Sequence, residues 1–138
     1  MANRRFAPAP LLDDLVETAK GLAHPARLRL LAMLSDGELC VCQMIAVIGL
    51  APSTVSRHLA VLSRGGLVGE RKDGKWVYYS LRERGPAALL PALLGPLAAD
   101  PTLKADRNLL TRLRRVPVAT LCAADLDLHA IGVRGGAR

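Results

Sequence analysis

The sequence predicts a mainly α-helical domain carrying one β-hairpin, and three observations lead there. Apolar residues recur at helical spacing on both sides of the chain's middle, two short helical stretches meet at Gly49, and one segment with strand character reverses at Asp73-Gly74. Two short helices joined by a turn and followed by a hairpin make a winged helix-turn-helix.

Each element follows from its residues. Residues 11–22 set Leu11, Leu12, Leu15, Ala19 and Leu22 at helical spacing, a stripe that needs a partner surface. A second helix starts at Pro25, where a missing N–H costs nothing, and runs through Leu28, Leu31 and Leu34 to the stop at Ser35-Asp36-Gly37. A third spans Leu39 to Ile48 and ends at Gly49. Ser53 is placed to cap a fourth, whose inward face is Val55, Leu59 and Leu62 and which Gly65-Gly66 closes. Strands at Leu67–Arg71 and Lys75–Leu81 flank Asp73-Gly74, a dipeptide that tolerates the positive φ of tight hairpin turns. Beyond Pro86 come Leu- and Ala-rich helical stretches broken at Pro91, Gly95-Pro96 and Pro101, then a clearer helix over 102–115 with Leu103, Leu109, Leu110 and Leu113. The expected organisation is a flexible arm (1–10), the winged domain with its dimerisation helices (11–115), and an extension carrying Cys122 (116–138), frayed from Gly132.

Composition narrows the function. A chain of 138 residues holds one domain with a modest core, which disfavours a two-domain enzyme. The formal charge of +7, doubled in a symmetric dimer, favours a polyanionic partner through counterion release. No apolar run approaches the ~20 residues a bilayer span needs, and MANRRFAPAP has no apolar signal stretch, so the chain reads as cytoplasmic. Three cysteines are too few for a disulfide scaffold and leave one unpaired, so ligand or buried apolar roles are the expectation.

The fourth helix presents a surface suited to DNA. Ser53, Arg57, Ala60, Val61 and Arg64 cluster opposite its apolar stripe, with Thr54 and Ser56 at the border. Small side chains allow close approach to a major groove, where Arg57 can donate two hydrogen bonds to a guanine edge. Ser53, Thr54 and Ser56, near the positive helix end, suit phosphates. Arg71, Lys72 and Lys75 surround the hairpin tip, within reach of flanking backbone or minor groove. An ordinary solvated face is the competing reading of the helix alone. His58 projects towards the packed side and reads as structural.

Together, His24-Pro25-Ala26-Arg27-Leu28, ELCVC at 38–42, STVSRHLAVL at 53–62, GLV at 66–68 and DGKWVYYSL at 73–81 resemble the ArsR/SmtB repressors, nearest their arsenic-responsive members. The likeness covers about residues 20–82. It implies a homodimeric repressor, joined through its first and last helices, that binds double-stranded operator DNA when metal-free and leaves it on capturing a metal or metalloid. It implies no enzyme activity and no required cofactor.

The sensing chemistry is assigned to Cys40 and Cys42. Thiolates are soft ligands, so a close pair selects thiophilic ions over oxygen-seeking ones. Taken outside its motif, a C-x-C pair fits two small buried residues equally well. Residues i and i+2 stand about 200° apart on a regular helix, so a shared atom is expected to unwind residues 38–43 and tilt the helix behind the 53–65 segment. The first turn, with unpartnered N–H groups and a positive dipole end, is where unwinding costs least and where thiolate is favoured. Arsenic-responsive relatives often carry C-V-C-x-x-C, whereas this chain has Gln43, Met44 and Ile45 after the pair. Cys122 is the other thiol. If its segment folds back over the third helix the trio is complete and suits As(III) or Sb(III); if not, two thiolates suit a methylated arsenical. Cadmium ranks lower, for lack of N-terminal cysteines. His24, His58 and His129 are weighed as zinc ligands, the last in a D-x-D-x-H pattern with Asp125 and Asp127 that aligns only on a strand. Rivals are a thiol-oxidation sensor on the same scaffold, a redox enzyme lacking any βαβ setting, and a constitutive nucleoid-type binder.

Overall fold

The computed structural model describes residues 12–123. The 1–10 arm, Leu11, the Asp125/Asp127/His129 pattern and the tail from Gly132 lie outside the described residues.

Helix α1 (Leu12–Leu22) leads into α2 (Pro25–Met33), which opens on His24, whose ring nitrogen accepts from the Ala26 N–H at 3.0 Å. A 3-10 turn (Leu34–Asp36) and Gly37 separate α2 from a two-residue strand, β1 (Leu39–Cys40), and then α3 (Val41–Ile48). Gly49, with φ 74°, makes the turn that bends α4 (Pro52–Arg64) by 115° from α3. This is helix-turn-helix geometry, and a left-handed residue is what allows so short a junction. Strands β2 (Val68–Asp73) and β3 (Trp76–Leu81) form the wing, and β1 adds to its β3 edge, giving the antiparallel order β1-β3-β2. A 3-10 turn (Gly85–Leu89), α5 (Leu90–Leu97), α6 (Pro101–Leu113) and α7 (Val118–Ala123) complete the described chain.

One core unites these elements. Leu30 and Leu31 from α2, Met44 and Val47 from α3, Val55, Leu59 and Leu62 from α4, Leu113 from α6 and Leu121 from α7 share it, each sealed from solvent. The inward face read for α4 is therefore the face that packs. Helix α1 crosses the end of α4 very closely. A Cβ on Gly65 would stand 2.9 Å from the Glu17 carbonyl oxygen, and the Thr18 hydroxyl donates to the Gly65 carbonyl at 2.8 Å. Only a residue without a side chain lets the two backbones meet there.

Four local expectations are corrected. Ala51, with Pro52 behind it, is the N-cap of α4, so Ser53 lies inside the first turn. The hairpin turns at Gly74-Lys75, because Asp73 still pairs with Trp76. Leu39 and Cys40 are extended, not helical, because β3 offers them a free edge. The 102–115 leucines are not a free dimer stripe: Leu103, Leu109, Leu110 and Leu113 are buried within the chain, where α6 packs against α2 and α3. The exposed apolar stripes are Leu12, Leu15 and Val16 on α1, and Leu89, at the end of the 3-10 turn, with Leu93 and Leu97 on α5.

Helix α6 is bolted to α2 by an ion pair. The Arg29 guanidinium donates twice to Asp106, at 2.7 and 2.8 Å, with the carboxylate side chain only 7 % exposed. Removing one partner strands the other's charge in a largely dry setting. Asp106→Ala is expected to cost about 3 kcal/mol in urea unfolding, while Arg29→Met/Asp106→Leu recovers most of that loss. A double variant as unstable as the single one contradicts this account.

Candidate metal centre and nucleic-acid interface

The sulfur site is assembled from three places in the chain. Cys40 ends β1 and serves as the N-cap of α3, with extended backbone (φ −70°, ψ 146°) and a buried thiol. The Gln43 side chain accepts the Cys40 N–H at 2.9 Å, closing a capping box at the helix start. Cys42 sits half-buried in the first turn of α3. Cys122 comes from α7, which packs on α3 and is pinned by the fully buried Leu121. Cys42 and Cys122 are joined in a disulfide with Cα atoms 6.0 Å apart, and Cys40 remains a free thiol.

All three sulfurs lie within 4.8 Å of one another. Thiolates on one soft ion at about 2.3 Å stand about 4 Å apart, so a small adjustment of reduced side chains brings the trio onto one centre. The expected unwinding of residues 38–43 is not required. Cys40 lies just outside the helix, so the 200° separation that applies to i and i+2 within a helix does not apply to it. A trigonal, sulfur-only set that sits in the protein boundary and includes a helix N-cap suits a thiophilic ion rather than magnesium or calcium. No other group of three metal-ligating side chains is found among the described residues. The His24 and His58 rings pack at a tilt of 48°, centroids 4.6 Å apart, and His58 Nδ1 lies 3.3 Å from an Arg27 nitrogen. Burial, reinforced by the charges of His24, Arg27 and Arg57, holds the His58 pKa below its ordinary value. These rings therefore brace α4 against α2.

The basic surface lies on α4 and the wing. Ser53, Ser56, Arg57, Ala60 and Arg64 are exposed on α4, and Thr54 is half-buried. Arg71, Lys72 and Lys75 are exposed on the hairpin. The Lys75 ammonium lies over the Trp76 ring at 4.8 Å. Arg71 is not a free cation: its guanidinium pairs with Glu38 at 2.6 and 3.0 Å and covers the Tyr78 ring at 4.6 Å. That pairing holds the Glu38 carboxyl below the ordinary range. Burial, with a hydrogen bond to Glu70, pushes the Tyr79 hydroxyl up to about 12. Glu38 escaped the sequence reading; its place two residues before Cys40, in the same motif, was the signal for it.

Residues 24–69, the stretch from the start of α2 into the wing, match the family model described as bacterial regulatory protein, arsR family. The chain is 37% identical over 103 residues to the arsenic resistance transcriptional regulator ArsR1 of Pseudomonas putida, covering 72% of this chain and 80% of that protein. The chain belongs to the arsR family. A second relative of this arsR-family chain, the arsenical resistance operon repressor of Escherichia coli, is 42% identical over 73 residues, covering 52% of this chain and 62% of the relative. In three dimensions it resembles the homodimeric winged helix-turn-helix DNA-binding domain Mb0332 of Mycobacterium bovis, with TM-score 0.55 and 34% identity over 71% of this chain and 87% of that one. Fold and family alike are those of DNA-binding transcriptional regulators. No single helix among the described residues is long and apolar enough to cross a membrane.

Proposed function

We propose that this ArsR-family protein is a cytoplasmic, dimeric repressor that binds operator DNA through α4 and the wing and releases it when Cys40, Cys42 and Cys122 capture trivalent arsenic or antimony. The observation that carries the reading is the convergence of three sulfurs from β1, α3 and α7 at the N-terminus of the helix that leads into α4. Relatives named for arsenical resistance support it. With the disulfide reduced, arsenous acid exchanges its three hydroxyls for three thiolates, and each thiol proton leaves in water. A third sulfur close to the pair favours inorganic over methylated arsenic, because a carbon substituent would leave one thiolate unused. Drawing the sulfurs together pulls α3 against α7 and β1, and α4 shifts with α3. On DNA, Arg57 and the small face of α4 enter the major groove, Ser53, Thr54 and Ser56 contact phosphates, and Arg64, Arg71, Lys72 and Lys75 hold the flanking backbone.

A second reading has a specific observation behind it. The Cys42–Cys122 disulfide is the product of thiol oxidation, in which two thiols and hydrogen peroxide yield a disulfide and two waters. Reduced protein bound to the DNA upstream of its own gene separates the two. Arsenite is expected to weaken that complex by roughly 5–150-fold in a gel shift, the range of typical allosteric coupling. Release by peroxide with none by arsenite rejects the metalloid reading in favour of the redox one.

A further inference from the structure

We infer that Glu38 is a positioning residue that couples the sulfur site to the wing through the sheet, so that ligand capture re-aims Arg71 directly. The inference rests on the metalloid reading above. Strand β1 has only two residues, and one of them is the sulfur ligand Cys40. Cys40 pairs with Tyr78, and Tyr78 pairs on its other side with Arg71. Sulfur ligand, aromatic ring and wing arginine thus form one row across three strands, with their side chains on the same face. The Arg71 side chain closes the row back on itself: it lies across Tyr78 and reaches Glu38, two residues before Cys40, with two charge-assisted hydrogen bonds.

A two-residue strand has few ladder bonds, and what else anchors it is the burial of Leu39 and Cys40 and the Gln43 cap on the Cys40 N–H. Its register depends on the Leu39–Tyr79 and Cys40–Tyr78 pairs and on the Glu38–Arg71 clasp at its start. Any displacement of Cys40 towards Cys42 and Cys122 acts on that register, and the clasp passes it to a guanidinium on β2. Glu38 touches no sulfur, so its removal leaves the ligands in place. Glu38 is not itself assigned to DNA, although its partner Arg71 is, so the coupling is read without DNA present. The pair is exposed and adds little to stability, which suits a contact that must exchange partners.

The wing carries its own reporter. Trp76, the chain's single tryptophan, begins β3, two residues from Tyr78. The test is an arsenite titration of the reduced full chain without DNA, binding followed by calorimetry and the wing by Trp76 fluorescence. Wild type is expected to show heat and a fluorescence change that saturate together. Glu38→Gln is expected to bind arsenite within about twofold of wild type but to lose at least half of the fluorescence change, and Glu38→Asp to regain part of it. Circular dichroism melting checks that both variants fold. Heat without fluorescence change in wild type, or a full change in Glu38→Gln, overturns the coupling and leaves the metalloid reading intact. Absence of heat in wild type overturns the metalloid reading and removes the coupling with it.

Discussion

Cys42→Ser is expected to keep the protein on its DNA at arsenite concentrations that fully release the wild type, and Cys40→Ser and Cys122→Ser are expected to do the same. A serine hydroxyl is close to the thiol in size but is a hard, neutral oxygen, so in the reduced protein, where the Cys42–Cys122 bond is already open, each change removes one soft ligand and little else. Operator affinity without arsenite should stay within about twofold of wild type, since none of the three side chains lies on the basic surface of α4 or the wing. The ratio of affinities with and without arsenite, roughly 5–150 in the wild type, should fall to about 1 in all three variants. Cys122→Ser is the most informative arm. Release retained there would mean that α3 and β1 sense with two sulfurs, and that a methylated arsenical is the better inducer.

The second large effect concerns the exposed leucines of α5. Leu93→Glu should separate the dimer in sedimentation or size exclusion and lower operator affinity by at least about 100-fold. Leu93 is 43 % exposed, between Leu89 and Leu97 on the α5 stripe, so a carboxylate there meets only solvent in one chain. Across a symmetric interface it would be buried twice, against apolar surface and against its own copy. Two reading heads on one operator gain 10²–10⁴ in affinity from acting together, and that gain disappears with the second head. A Leu93→Glu protein that remains dimeric would place the interface elsewhere, and the α1 stripe of Leu12, Leu15 and Val16 would be the next surface to test.

What the sequence made legible was the part with strong periodicity. Val55, Leu59 and Leu62 alternate so regularly with polar neighbours that the packed face of α4 and its exposed counterpart follow together, and Gly49 marks the turn before it. What it hid was set by partners far away in the chain. Leu39 and Cys40 have no strand pattern of their own and are extended only because β3 presents an edge. The α6 leucines look identical whether they meet a second chain or α2 and α3, and it is the latter that they meet. The approach of Cys122 to Cys42 depends on α7 docking on α3 with Leu121 buried in the core, which no spacing rule encodes. The Glu38–Arg71 clasp joins residues 33 apart, so Arg71 read as a free DNA contact when it already has a partner.

Cys42 and Cys122 are separated by 80 positions, and both of the elements proposed to face DNA, α4 and the hairpin, lie between them. Whatever joins those two sulfurs, a metalloid or a bond between them, ties the reading apparatus into a closed ring fastened at its base. The unfolded chain loses conformational freedom when that ring closes, by an amount that for a loop of this length is worth about 4–5 kcal/mol. The inducer would then act as a rivet as well as a signal: the molecule that has let go of its DNA would be the one hardest to unravel.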